Sequence, residues 1–477
     1  MFNAMAWLLH LVTRDAIGYA EYLSGSYLLA LLVMLPTTLC AGTTLPLITH
    51  ALLRQAQDEA NIGKVYAANT FGGIVGVLVT MHLLMPVLGL RNAIVIGAAI
   101  DLAAGCALFL QAGGARDRRL LWAVGLSMAV VVLIVRVVEF DPLVTASGVY
   151  RHGRARLPNS EKSLFHADGK TASIDLVQDY AGSVAILTNG KPDAAIEMAA
   201  GKPASEDEVT MVLAAVVPLA MRPQAHLAAN IGMGSGLTTA TILGSSRLER
   251  VDTIEIEAKM VEAAAGFRPR TDRVYTDPRS HIVIDDAKTY FTAQRQRYDI
   301  IVSEPSNPWV NGVAGLFSLE FYDLIKHFIT ADGVLVQWLQ LYEFNAPLMA
   351  SVANALGQHF AHYVIYQTDD ADVLIVASDS ADLETLDPYV FTEPVLAGEL
   401  RRVGIRQPAD LRIHHVGNRA TLAPLFRSYG APANSDDYPY LDQHAASARF
   451  MQSRFTALLG LTGAPLPLLE MLDPYRG

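Results

Sequence analysis

The first 138 residues alternate long apolar stretches with short charged ones. Residues 22–53 and 65–90 contain no Asp, Glu, Lys or Arg, residues 92–115 contain a single acid, Asp101, and residues 120–135 run up to Arg136. A helix crosses a hydrocarbon core of about 30 Å with about 20 such residues, so the pattern predicts four membrane spans, with Arg136 reaching the interface. Core helices of a large soluble protein are the alternative. In the second stretch FGGIVG sets Gly72 and Gly76 one helical turn apart, a spacing that suits close helix packing in lipid. Asp101, in mid-span, reads either as a functional acid or as a polar pin between helices. Residues 1–12 lack the basic opening and small-residue site of a cleaved leader and are expected at the interface. Arginines flank both sides of the spans, so orientation stays open.

Past residue 147 the period changes. After the turn-rich GVYRHGRARLPNSEK, the stretches TASIDLVQ and SVAILTNG alternate and predict a β-hairpin or small sheet. From Leu227 onward short apolar runs (LAANI, VDTIEI, HIVIDD, YDIIVSE, GVLVQWL) are separated by helical periodicity. Strands alternating with helices imply a parallel sheet with its ligand beyond the strands' carboxyl ends. The expected organisation is transmembrane helices over 1–138, a linker and small β-rich domain over 139–223, an α/β domain over 224–380 and a helical extension over 381–477. That extension either covers the sheet or forms a homodimer contact.

Charge sharpens this division. Only 17% of the 477 residues are charged, against about 25% in average soluble domains. Residues 1–138 hold 8 basic and 6 acidic side chains, leaving 36 − 8 = 28 basic and 47 − 6 = 41 acidic beyond them, so the net charges are +2 and −13. An acidic remainder argues against nucleic acid as a partner, since phosphate binding needs a basic footprint. Cys40 and Cys106 sit far apart in apolar segments and form no zinc pattern, and no HExxH or CxxC motif offers a metal site.

The candidate chemistry lies at the predicted strand ends. The first strand runs into IGMGSG, where Gly232, Gly234 and Gly236 permit a tight turn before a helix starting near Thr238. The second ends at Glu255, the third at Asp285 and Asp286, the fourth at Glu304, with spacings of 19, 31 and 18 residues from Gly236 through Glu255 and Asp286 to Glu304. About one βα unit separates each pair, so all are expected on one sheet edge. An acid after the second strand can accept both ribose hydroxyls, and one after the third can accept an adenine amino group. The pattern therefore predicts a nucleoside site; a dinucleotide fingerprint would want a glycine where Leu237 stands.

In order along the chain, NGKPDA, IGMGSGLTTA, TIEIE, IDDAKTYF, YDIIVSEPSNPW, GLFSLEFY and NSDDYPYLD resemble the spermidine synthases, or polyamine aminopropyltransferases, and more closely their bacterial membrane-fused branch. The resemblance runs over about residues 66–378, with NSDDYPYLD near the end also similar to that branch. It implies a class I methyltransferase-like (Rossmann-like) parallel sheet with a small N-terminal β-domain, following an α-helical membrane segment. It also implies a transferase using decarboxylated S-adenosylmethionine as cosubstrate, with no permanently bound cofactor, and a diamine such as putrescine as acceptor. By position, Gly232, Gly234, Ser235 and Gly236 would surround the sulfonium nucleoside, Glu255 its ribose, and Asp285 with Asp286 its adenine. Glu304 falls where the family carries a catalytic Asp. Asp193, Asn307 and Trp309 would reach the acceptor, with a turn role for Asp193 and loop packing for Trp309 as the alternatives. The expected setting is a multi-pass bacterial inner-membrane protein with a cytoplasmic catalytic domain.

Three departures bear on specificity. Ser235 replaces an Asp that would hold the cosubstrate's ammonium, EPSNP replaces one acid with Glu304 and another with Asn307, and EVTMVLAAVV stands where soluble members carry a Tyr-His-Glu run. A diamine would then meet fewer counter-charges, and intact S-adenosylmethionine becomes a competing donor. Methyl or aminocarboxypropyl transfer, or nucleoside binding without turnover, are the alternative functions.

Overall fold

A computed structural model describes residues 1–56, 59–111, 118–137 and 141–455; residues 112–115 of the third apolar stretch and 456–477 of the C-terminal extension lie outside these. Two helical stretches, Ala16–Arg54 and Ala60–Phe109, are long and apolar enough to cross a membrane, and their most apolar windows are unburied. Where the pattern predicts separate spans over 65–90 and 92–115, the chain stays helical and breaks only at Gly89 (φ 77°, ψ 167°). The reason is local: there is no polar loop between the two stretches, only the residue pair Gly89–Leu90 and Arg91. The fourth stretch falls within the helix Arg118–Val137. Gly72 and Gly76 meet nothing within 4 Å of an added Cβ, so the expected close packing is not made among the described residues. Asp101 is exposed on the helix Met85–Gln111.

The small sheet is antiparallel in the order β1 (Lys162–Asp168), β2 (Ser173–Gln178), β3 (Ser183–Thr188), β4 (Lys191–Glu197). Asn189 and Gly190, both at positive φ (50° and 78°), turn β3 into β4, as Asn-Gly hairpins favour.

The large sheet contains β5 (Leu227–Ile231), β6 (Arg250–Glu255), β7 (Ser280–Ile284), β8 (Tyr298–Ser303), β9 (Ile329–Gln340), β10 (His362–Gln367), β11 (Asp372–Ser378) and β12 (His415–Asn418). Its order is β12-β10-β11-β9-β8-β5-β6-β7. Pairing is parallel from β7 to β9, while β11 runs antiparallel to β9 and β10, and β10 antiparallel to β12. Numbered from β5, the first seven strands stand 3-2-1-4-5-7-6, the Rossmann-like class I methyltransferase arrangement. The strand order reverses between β5 and β8, and such a switch point opens a crevice at the carboxyl ends. Both faces are covered, as parallel sheets require. Ile300 and Val302 of β8 enter one core cluster, while Ile301 enters the other. The extension beyond residue 380, expected to be helical, also supplies the edge strand β12.

Candidate active site

The switch-point crevice is a cavity of about 1200 Å³. The tips of three strands close on one another there: Glu304 N donates to Ile231 O (2.9 Å) and Gly232 N donates to Ile254 O (2.9 Å). Gly232 has φ 91°, and a Cβ on it would lie 2.5 Å from the Glu304 carbonyl oxygen. Only glycine satisfies both conditions. Gly236 (φ 82°) caps the helix Leu237–Ile242, and Gly234 lies under β4, 3.6 Å from Ala194 Cβ to an added Cβ.

Glu255 is 6% exposed; its Oε2 accepts from Met233 N and its Oε1 from Glu257 N, both at 2.9 Å. Burial pushes its carboxyl up to about 7 against the opposing effect of those two N–H groups. Asp286 caps the helix Ala287–Ala293 by accepting from Thr289 N (2.9 Å), and Asp285 accepts from Asp286 N (2.8 Å). Glu304 is likewise pushed up to about 7 by burial, partly offset by the Thr238 hydroxyl. Gly232, Gly234, Glu255, Asp285, Asp286 and Glu304 all line this one cavity, as does Asp193.

Asp193 Oδ1 accepts from Lys191 Nζ (2.7 Å) and Ser306 Oγ (2.9 Å), while its Oδ2 is buried without a hydrogen-bond partner. Lys191, 2% exposed, also donates to Ser306 Oγ (2.9 Å). Farther along stands an acidic group that the strand-end logic misses. Asp207 is raised to about 6 by burial, Asp369 is raised by burial, and Asp372 is raised well above its usual range by burial and then by Asp369 and Asp207. Thr210 Oγ1 reaches Asp372 Oδ2 (3.2 Å) and Asp369 Oδ2 (3.3 Å); Asp372 Oδ1 has no partner. These residues line the cavity with Glu206, Tyr342 and Glu343. The expectation of few counter-charges is thereby corrected: acids from the start of the helix Glu206–Met221 and from the β10–β11 turn converge where the Tyr-His-Glu run is missing. The runs EDE and TDDAD were the available signal.

Four predicted residues stand outside the cavity lining. Ser235 is fully buried; its hydroxyl donates to Met211 Sδ (3.0 Å) and accepts from Leu237 N (3.3 Å), so its side chain points toward the helix that carries Met211. Gly236 shapes the turn from behind. Asn307 is fully buried, and its Nδ2 donates to Tyr342 Oη (3.4 Å), so it backs a lining residue. Trp309 packs edge-on to Tyr150 (6.4 Å between centroids) under Arg449 (5.0 Å) and Arg151 (5.9 Å), and its Nε1 is buried without a hydrogen-bond partner.

Sheet order, glycine turn and acid-lined crevice together define an α/β domain of the class I methyltransferase kind. Residues 209–369 match the model of the spermine/spermidine synthase domain. The chain is 26% identical over 318 residues to polyamine aminopropyltransferase 1 of Streptomyces coelicolor, covering 64% of this chain and 57% of that protein. It is 30% identical over 152 residues to the polyamine aminopropyltransferase of Moorella thermoacetica, covering 32% and 53%. The chain thus spans about half the length of the curated relatives it matches. Among solved structures, spermidine synthase from Thermotoga maritima is similar at 19% identity and a TM-score of 0.42, over 51% of this chain and 88% of that one.

Proposed function

We propose that this chain is a membrane-anchored transferase that moves an aminopropyl group from decarboxylated S-adenosylmethionine to a polyamine acceptor such as putrescine. The observation that carries this reading is the cavity itself: Glu255 and Glu304 stand at the tips of β6 and β8, the two strands that flank β5, with a separate acid group beyond. In it, the donor's ribose hydroxyls lie on Glu255 and its adenine amino group at Asp285 and Asp286. The acceptor's remote ammonium sits among Asp207, Asp369 and Asp372, and its reacting nitrogen meets Glu304 and the free Oδ2 of Asp193. That nitrogen's lone pair forms a bond to the methylene beside sulfur, the C–S electrons return to sulfur, and methylthioadenosine leaves. The proton released from nitrogen goes to Glu304. A carboxyl raised to about 7 is suited to this role, because general bases work best near the operating pH. Holding two cations against acids supplies orientation, and the sulfonium is already an activated leaving group.

The apolar helices hold the enzyme in a bilayer as a multi-pass protein, with the catalytic part on the cytoplasmic side where the nucleoside donor is made. The test is product analysis on the purified full chain given decarboxylated S-adenosylmethionine and putrescine: methylthioadenosine and spermidine are expected in equal amounts. Adenosylhomocysteine, or binding with no product, overturns the assignment. A second reading, aminocarboxypropyl transfer from intact S-adenosylmethionine, is favoured by one observation, the buried Lys191 ammonium in a cavity for cations. Its third N–H suits a donor carboxylate, and methylthioadenosine released from the intact donor would select it.

A further inference from the structure

The β1–β2 turn touches the membrane helix on one side and the nucleoside end of the cavity on the other. At the helix break, Leu90 N donates to Asp168 Oδ2 (2.6 Å), and a Cβ on Gly89 would lie 3.1 Å from that same oxygen. Asp168 Oδ1 accepts from Ser173 Oγ (2.5 Å), and Gly169 N donates to Ala172 O (2.8 Å), which closes the turn. Thr171 then donates twice to Glu257 Oε2, from N (2.7 Å) and from Oγ1 (2.8 Å). Glu257 N donates in turn to Glu255 Oε1 (2.9 Å). Glu257 is 3% exposed and lines the cavity with Thr171 and Ala172. A Cβ on Gly169 would fall 2.1 Å from Glu257 Oε1, so the turn's backbone rests directly on this carboxylate.

We infer that Asp168 is a positioning residue that couples the break in the membrane helix at Gly89 to donor binding. Charge-assisted bonds anchor the turn on its two sides, to Asp168 and to Glu257, and these are the strong kind. The path from Leu90 to Glu255 is therefore short and stiff. A change in the helix at Gly89 moves the turn, the turn moves Glu257, and the nucleoside end tightens or loosens. The coupling runs both ways, because a donor that orders the turn must also order Leu90.

The inference rests on the reading of this end as the nucleoside site, and the test separates the two. Methylthioadenosine binding is measured by calorimetry on the full chain in lipid nanodiscs, with backbone hydrogen exchange read at Leu90. Asp168→Ala is expected to weaken methylthioadenosine about tenfold, as loss of hydrogen bonds to a charged group does, with the acceptor KM unchanged. Asp168→Asn, which keeps an acceptor for Leu90 N, restores affinity to within about threefold of the original. Leu90→Pro removes the N–H at a first helical position, where proline is tolerated, and, with Leu90→Ala as the control for the lost side chain, matches Asp168→Ala without adding to it. Methylthioadenosine slows exchange at Leu90. No binding by the unaltered chain overturns the proposed function and this inference together. Normal binding with unchanged affinity in Asp168→Ala and Leu90→Pro, or with unchanged Leu90 exchange, overturns this inference alone.

Discussion

The two ends of the cavity are built by different means. At the end proposed for the nucleoside the groups arrive on successive strand tips, Gly232 after β5, Glu255 closing β6, Asp285 and Asp286 after β7 and Glu304 after β8. The backbone fixes them: Glu255 is held by two N–H groups and Glu304 by the ladder to Ile231. At the far end Asp207 comes from a helix, Asp369 and Asp372 from a strand turn, and their carboxyls crowd one another with Asp372 Oδ1 left unpaired. The first end is held by backbone hydrogen bonds. The second is an electrostatic mismatch that a cation relieves, since neighbouring acids cannot all ionise unaided.

The contrast can be broken at either end. The largest effect is expected at Glu304: Glu304→Gln should lower transfer about 1000-fold, within the range of lost general bases, with methylthioadenosine affinity nearly unchanged by calorimetry. An equal loss of affinity would move Glu304 into binding. Next is pH. Glu304 acts as a base only when ionised, and its carboxyl is raised to about 7, so kcat/KM should fall on the acid side of about 7, roughly tenfold per pH unit. A profile flat down to pH 5 would remove its role. Gly232→Ala forces a side chain into a positive φ against the Glu304 backbone. It should destabilise the α/β domain by about 2 kcal/mol in chemical denaturation, whereas the same change at exposed Gly201, with open space around it, costs less. The smallest effect belongs to the far end: Asp372→Asn should raise KM for a diamine about tenfold, as loss of one charge partner does, and leave a monoamine unaffected. Equal changes for both amines would place Asp372 outside the acceptor path.

The same contrast explains what the sequence made legible. Strand tips recur once per βα unit, so spacing alone brought Gly232, Glu255, Asp286 and Glu304 to one edge. The far end depends on tertiary closure between residues some 160 apart, such as Thr210 and Asp372, and no local period encodes that. The directions of Ser235 and Asn307 were not legible, because a loop position fixes the neighbourhood of a side chain and not its direction; Ser235 turns toward Met211 and Asn307 toward Tyr342. The apolar stretches were legible as helices, but the absence of a polar loop at Gly89 joined two of them into one broken helix.

The most direct test is a structure of the full chain with methylthioadenosine and putrescine bound. The account predicts ribose hydroxyls within about 3 Å of the Glu255 carboxylate, one putrescine nitrogen within about 3 Å of Glu304 and the other among Asp207, Asp369 and Asp372. A nucleoside lying elsewhere, or a diamine that avoids both acid groups, would contradict it.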